Sequence, residues 1–298
     1  MIVVGGPASR ELAIKVASHL QTTYMDVEHK VFPDGESYIR YPRDIKGEDI
    51  VIVQSLYYPQ DKHLVELLLM IDTAKDLGAR SVIAVIPYLA YARQDKRFRE
   101  GEAISVKTVL KCIESCGADA IITVDVHKRE SLQVVNIPTL DVTSMKLLAE
   151  YIQRELRLRK PLVLAPDMGA LWRAKLVAEV LGVDYDYIEK SRDRITGEVT
   201  AKPKSLSVQG RDVIIIDDII ATGGTIALAA REVKRQGATS VVAACAHGIF
   251  VGEAIEKMKS AGVDHIIATD TIPTPYSKVT VAPVIAEGIK EVLSKLRK

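Results

Sequence analysis

Val213-Ile214-Ile215-Ile216-Asp217-Asp218-Ile219-Ile220-Ala221-Thr222-Gly223-Gly224-Thr225 is the stretch that decides the fold. Four consecutive β-branched residues predict a strand buried on both faces, as in a parallel sheet. The Ala-rich run from Ile226 to Val233 predicts the helix that follows. In the loop between them, Gly223 and Gly224 let backbone N–H groups turn inward. Thr222 and Thr225 add hydroxyl donors, and the helix N-terminus adds partial positive charge, which together make a seat for a phosphate. The two carboxylates just upstream would repel a polyphosphate chain, yet they suit a diol or a divalent cation, so a sugar phosphate fits better than a bare nucleotide. A plain strand-to-helix turn with Asp as cap is the alternative. No Lys follows the second Gly and there is no Gly-x-Gly-x-x-Gly, so neither common nucleotide loop is present here.

The same rhythm recurs along the chain. Gly78 leads into Val82 to Ile86, Gly117 into Ile121 to Val124, Gly237 into Val241 to Ala244, and Gly262 into Ile266 to Ala268. Helix, Gly cap, β-branched run is the signature of a parallel α/β sheet. The copies fall into two halves: Ile2 corresponds to Val163, Asp49-Ile50-Val51-Ile52 to Asp212-Val213-Ile214-Ile215, and Gly78 to Gly237. The period is roughly 160 residues, which predicts two tandem doubly wound parallel-sheet domains. The boundary falls near Asp141 to Thr143, giving domains 1–142 and 143–298, with the last helix a candidate to pack back on the first. Where the second half has its Asp-Asp and Gly-Gly loop, the first half has Gln54-Ser55-Leu56-Tyr57-Tyr58-Pro59-Gln60, so only the second can seat the sugar phosphate.

Composition bounds the rest. The 298 residues are 48% apolar and 27% charged with a net charge of +1, a balance that suits two globular cores and gives no global case for nucleic acid or an anionic membrane. The three cysteines are odd in number; Cys112 and Cys116 lie one helical turn apart in an apolar pattern, so buried reduced thiols are expected. The chain enters directly as Ile2-Val3-Val4, without a charged leader or long apolar span, and a cytoplasmic location is expected.

Ligands gather at the carboxyl ends of strands in such sheets. After Leu162 to Ala165 comes Pro166-Asp167-Met168-Gly169-Ala170, a tight turn that could expose N–H groups to a pyrophosphate beside one Mg²⁺-binding carboxylate, or in which Asp167 is simply a cap. After Ile121 to Val124 comes Asp125-Val126-His127, which in an extended segment puts carboxylate and imidazole on one side, as a bridging cation or an ordinary surface pair would have them. After Val82 to Ile86, Tyr91-Ala92-Arg93-Gln94-Asp95-Lys96-Arg97 reads either as nucleotide contacts or as a solvated charge run. The segment from Tyr187 to Thr200 predicts a β-flap with its tip at Thr196-Gly197; Lys190 and Arg192 alternate onto one face, as stabilising a transferring phosphoryl group requires. In Phe32-Pro33-Asp34-Gly35-Glu36, the ring could stack on a purine with an acid at its amino group; taken alone, the loop reads as pinned to the core.

The Asp217 to Thr225 loop resembles the phosphoribosyl-binding loop of the type I phosphoribosyltransferase fold. All six segments, taken in chain order from Phe32 to Thr225, resemble the ribose-phosphate pyrophosphokinase family across essentially the whole chain. The resemblance implies transfer of the diphosphoryl group of ATP to the C1 hydroxyl of ribose 5-phosphate with Mg²⁺. It also implies the roles: Phe32, Asp34, Gly35 and Glu36 on adenine, and Arg93 and Gln94 on the nucleotide. His127 and Asp167, with Asp125, would hold Mg²⁺. Asp217 and Asp218 would take the ribose hydroxyls, Ala221, Thr222, Gly223, Gly224 and Thr225 the 5-phosphate, and Lys190 with Arg192 the transition state, Arg192 also reaching ribose 5-phosphate. A homo-oligomer is implied, with a dimer as minimal unit. Two features depart from the family pattern: Ala170 stands where a second Gly is usual, and Lys128-Arg129-Glu130-Ser131-Leu132 replaces the usual continuation after the Asp-x-His, a segment that builds subunit contacts in many members. A phosphoribosyltransferase would need only one such domain, and a non-catalytic regulatory relative would be expected to lack the flap cations.

Overall fold

The computed structural model describes residues 1–192, 199–201 and 206–297. It divides into two compact units, Met1–Thr143 with Thr280–Lys298, and Ser144–Val279.

The first unit runs β1 (Ile2–Gly5), α1 (Arg10–Leu20), β2 (Thr23–Asp26), a hairpin of β3 (Glu28–Val31) and β4 (Ser37–Arg40), β5 (Asp49–Val53), α2 (Gln60–Asp76), β6 (Ser81–Ile86), α3 (Ser105–Ser115), β7 (Ala120–Val124) and β8 (Thr139–Val142). The second runs α4 (Met145–Glu155), β9 (Leu162–Ala165), α5 (Leu171–Leu181), β10 (Asp184–Tyr187), β11 (Lys190–Arg192), β12 (Val199–Ala201), β13 (Asp212–Ile220), α6 (Gly224–Arg235), β14 (Ser240–Gly248), α7 (Ala254–Ser260), β15 (His265–Thr269) and β16 (Ser277–Val279). The chain ends with α8 (Ala282–Leu296). The sheets are ordered β2-β1-β5-β6-β7-β8 and β10-β9-β13-β14-β15-β16. Every pairing in both is parallel. The β-branched runs account for this: in β13, Val213 and Ile215 face the core that includes α6 and α7, while Ile214 and Ile216 face the core that includes α4 and α5.

The duplication survives in side chains as well as in topology. Asp49 at the start of β5 accepts from Ser81 Oγ at 2.8 Å, and Asp212 at the start of β13 accepts from Ser240 Oγ at 2.7 Å. Asp119 pairs with Lys75 at 3.0 Å and accepts from Val82 N, as Asp264 pairs with Lys234 at 3.0 Å and accepts from Val241 N. A Cβ on Gly117 would strike Lys75 at 2.8 Å, and one on Gly262 would strike Lys234 at 3.0 Å. The equivalent glycines leave room for equivalent lysines.

The last helix belongs to the first unit. Ile285, Ile289, Val292 and Leu293 of α8 pack with α1 and with Val3, Ile122 and Val124 of the sheet. Gly288 lets α8 approach closely: a Cβ there would lie 3.0 Å from Val142. In the second unit, α4 takes the corresponding place beside α5, with Met145, Leu148, Ala149 and Ile152 buried.

Several boundaries differ from the sequence reading. Strand β13 continues through Asp217 and Asp218 to Ile220, and α6 begins at Gly224. The thiols differ too. Only Cys245 is buried; Cys112 is exposed and Cys116 intermediate. On α3 the inward stripe is Val106, Val109, Leu110 and Ile113, which leaves Cys112 one residue, about 100°, off that stripe.

Candidate functional site

The site is built at the carboxyl ends of the parallel strands. At the end of β13, Asp218 is buried while Asp217 is intermediate, as alternation across a strand requires. The Asp217 carboxylate accepts from Asp218 N, and the Asp218 carboxylate from Ile219 N, both at 2.9 Å. Arg173 of α5, itself buried, brings Nη2 to 3.4 Å from Asp218 Oδ2, and its guanidinium lies 4.5 Å from the Trp172 ring centre. The two acids are therefore unequal. Burial first, then the neighbouring Asp218 charge, and also Asp167, push the Asp217 carboxyl well above the usual carboxylate range. Sequence reasoning passed over Arg173; the available signal was a cation at an inward position of the stripe that also holds Ala174, Val177 and Ala178.

Gly223 caps α6 in the left-handed region, at φ 70°. A Cβ on it would lie 2.8 Å from the Ala254 carbonyl oxygen and 3.0 Å from Met258, so α7 closes one side of the loop. The other side is open: Thr222 and Thr225 are exposed. The first N–H groups of α6 have no intrahelical acceptor, as at any helix start. The rim is fixed by Val251 N donating to Ala221 O at 3.0 Å.

The Pro166 to Ala170 turn is closed on itself. Asp167 Oδ1 accepts from Gly169 N at 3.0 Å and Ala170 N at 3.3 Å. The N–H groups expected to face a ligand are thus directed to Asp167, so the cap arrangement is the one observed. The flap strands pair antiparallel, Lys190 with Ala201 and Arg192 with Val199. The expected tip at Thr196-Gly197 lies outside the described residues.

In the first unit, the Phe32 to Glu36 loop caps the β3–β4 hairpin. Phe32 N donates to Glu36 O at 2.8 Å and Gly35 N to Phe32 O at 2.9 Å, with Gly35 at φ 98°. Asp34 accepts from Glu36 N at 3.2 Å. Phe32 is 41% exposed, in edge contact with Tyr38 at 6.0 Å and with Lys30 Nζ 5.0 Å from its ring centre. This overturns the core reading of the ring. Arg93 is exposed and Gln94 half-buried. Gln94 Nε2 donates to Glu102 Oε2 at 3.2 Å, and the same oxygen accepts from Phe98 N and Arg99 N, so Glu102 ties the loop together.

Asp125 and His127 are not on one side of an extended segment. Asp125 has φ 42°, which turns the chain. It is fully buried and accepts from Thr143 Oγ1 at 2.7 Å, whereas His127 is exposed. Asp141 sits beneath this turn, accepting from Thr123 Oγ1, Val126 N and Arg129 Nε. Among the described residues no group of three or more His, Cys, Asp or Glu side chains converges tightly enough to hold a metal by itself. The oxygen chemistry still suits Mg²⁺. That ion takes one or two carboxylates and completes its shell with water and substrate phosphates, and the mutual repulsion felt at Asp217 is of the kind a cation relieves.

Two parallel α/β sheets, with an acid pair and a glycine-containing strand-to-helix loop at the strand ends of the second, define a protein of the type I phosphoribosyltransferase fold class. Residues 1–117 match the N-terminal domain of ribose phosphate pyrophosphokinase, and residues 130–278 the phosphoribosyl transferase domain. The chain is 47% identical to a ribose-phosphate pyrophosphokinase of Sulfurisphaera tokodaii, over 97% of this chain and 100% of that one. It is 44% identical to that of Methanothermobacter thermautotrophicus, again over 97% and 100%. The crystal structure of phosphoribosylpyrophosphate synthetase from Mycobacterium smegmatis superposes with a TM-score of 0.88 at 31% identity, covering 99% of each chain. The chain belongs to the ribose-phosphate pyrophosphokinase family.

Proposed function

We propose that this protein transfers the diphosphoryl group of ATP to the C1 hydroxyl of ribose 5-phosphate, releasing AMP and phosphoribosyl pyrophosphate. The observation that carries this reading is end-to-end likeness, at 47% identity, to a ribose-phosphate pyrophosphokinase. A lone phosphoribosyltransferase would match only the second unit, and a non-catalytic relative is not favoured.

Asp217 and Asp218 accept hydrogen bonds from the ribose hydroxyls, and Ala221 to Thr225 hold the 5-phosphate at the start of α6. Phe32, Asp34, Gly35 and Glu36 receive adenine, and Arg93 and Gln94 the rest of the nucleotide. The exposed ring of Phe32 supports this reading, since stacking on adenine would cover apolar surface now in water. Ribose O1 attacks Pβ in line; the O1–Pβ bond forms, the bond from Pβ to the bridging oxygen on Pα breaks, and AMP departs with that oxygen while the O1 proton is released. Lys190 and Arg192 meet the charge that spreads over the transferring group. His127 and Asp167 are the side chains suited to bind Mg²⁺, which when bound neutralises phosphate oxygens. Asp125, buried against Thr143, suits bracing of the turn beneath His127.

The active form is a homo-oligomer with a dimer as minimal unit, and the enzyme is cytoplasmic. No helix among the described residues is long and apolar enough to cross a membrane. The function is tested by AMP formation from ATP and ribose 5-phosphate, with and without a chelator, alongside calorimetric binding of each substrate. Binding of ribose 5-phosphate without AMP formation would overturn it. The oligomer is tested by mixing two inactive variants, Phe32→Ala with Glu36→Ala in one chain and Lys190→Ala in the other. If sites are shared between subunits, subunit exchange restores partial activity. No recovery from proven hetero-oligomers places the site within one chain.

A further inference from the structure

Under the β3–β4 hairpin lies a charged group that none of the roles above uses. Glu66 of α2 is fully buried, and its carboxylate is held from three elements. Its Oε1 accepts from His29 Nε2 of β3 at 2.9 Å and from Ser37 Oγ of β4 at 2.8 Å. Its Oε2 accepts from Gln54 Nε2 just beyond β5 at 3.3 Å. Gln54 is itself fully buried, and its Oε1 accepts from Ala8 N at 3.0 Å. Lys62 Nζ, one helical turn away, is 3.8 Å from Oε1.

A buried carboxylate is a poor way to gain stability, because desolvation offsets most of what its partners return. What this one does is geometric. The hairpin is outside the six-stranded sheet and consists of two four-residue strands, and an isolated two-stranded hairpin is marginal in water. Glu66 grips both legs just below the loop: His29 lies three residues before Phe32, and Ser37 immediately follows Glu36. A further anchor is lower down, where Tyr41 OH donates to Met70 O at 2.8 Å.

We propose that Glu66 is a positioning residue that sets the Phe32 to Glu36 loop for the nucleotide, acting through His29 and Ser37. This rests on the nucleotide-binding reading of that loop given above. Without the grip the loop samples orientations in which Phe32 and Glu36 no longer meet adenine together, and the fraction of competent states taxes ATP affinity alone.

The test compares Glu66→Ala, Glu66→Gln, His29→Ala and Ser37→Ala. Glu66→Ala raises KM for ATP about tenfold while leaving KM for ribose 5-phosphate within about twofold, the split that separates one substrate's binding from general damage. Glu66→Gln, which keeps one acceptor oxygen, recovers part of the loss. Hydrogen exchange quickens at the amides of residues 28–40 while those of α2 stay protected. Equal changes in both KM values, a fall in kcat alone, or unchanged exchange in the hairpin would overturn the proposal. Should Glu66→Ala not fold, His29→Ala and Ser37→Ala, which each remove one donor and leave α2 intact, decide it by the same readings. Should the wild type form no AMP, the proposed function fails, and hairpin exchange with calorimetric binding of a non-hydrolysable ATP analogue still tests the grip.

Discussion

Arg297, one residue past α8, places Nη2 2.8 Å from Oδ2 of Asp49, 248 positions earlier in the chain. Asp49 is almost fully buried at the start of β5 and is also held by Arg80 and Ser81. Arg80 chiefly, with Arg297 and Ser81, holds the Asp49 carboxyl well below the usual carboxylate range.

Asp49→Ala therefore destabilises the first unit by about 2 kcal/mol, the usual scale for hydrogen bonds to a charged group. Arg297→Ala costs less than about 1 kcal/mol, because that side chain is mostly exposed and Arg80 remains. The depressed pKa makes the contribution of Asp49 fully present above the unfolded value of about 4 and lost as pH falls below it. Urea unfolding at neutral and at acid pH checks this: the gap between wild type and Asp49→Ala narrows in acid.

Asp217 and Asp218 respond oppositely to neutralisation. The Asp217 carboxyl is raised, so the ligand-free protein loses stability as pH climbs from about 4 through the folded pKa. Asp217→Asn removes that loss and melts higher than wild type, most clearly at alkaline pH. Asp218→Asn leaves buried Arg173 facing an amide and costs about 2 kcal/mol. Both variants bind ribose 5-phosphate more weakly, with ATP affected less. Equal loss for ATP in calorimetry would mean that the pair serves the metal first.

Gly223→Ala strains the Ala221 to Thr225 loop twice. A left-handed backbone costs an L-residue about 1–2 kcal/mol, and the added Cβ meets the Ala254 carbonyl oxygen at 2.8 Å. Ribose 5-phosphate affinity falls while ATP affinity is nearly retained, which separate calorimetric titrations measure.

Lys190→Ala and Arg192→Ala each lower kcat by about a thousandfold, the scale seen when one transition-state donor is removed. Substrate affinity changes little if, as proposed, the two cations meet the transferring group chiefly in the transition state. A rise in KM with normal kcat would make the flap a binding device.

Much of this architecture was legible in the amino-acid order because parallel sheets write a loud pattern. Gly78 and Gly237 mark helix ends, and the β-branched runs behind them have no other stable use. Asp217 to Thr225 could be read because its chemistry is local. Arg173, Glu66 and the partners of Asp125 could not, since each depends on which residues the fold brings from other elements. Asp125 looks like any strand-end acid until its left-handed turn separates it from His127. Phe32 misled for the converse reason: an aromatic ring is usually core, and only the hairpin's place outside the sheet leaves it in water. For the last helix, packing back on the first half could be named only as a candidate, because periodicity does not say which sheet a helix covers.

That address has a consequence for how the protein is made. A ribosome delivers the first unit at the start and its last helix at the end. While residues 144–279 are being synthesised, Ile122 and Val124 wait on a sheet face that α1 covers only in part. The second unit, continuous in sequence, can finish folding first, the reverse of the usual N-to-C order. A stop ahead of α8 would thus injure the part of the molecule translated earliest.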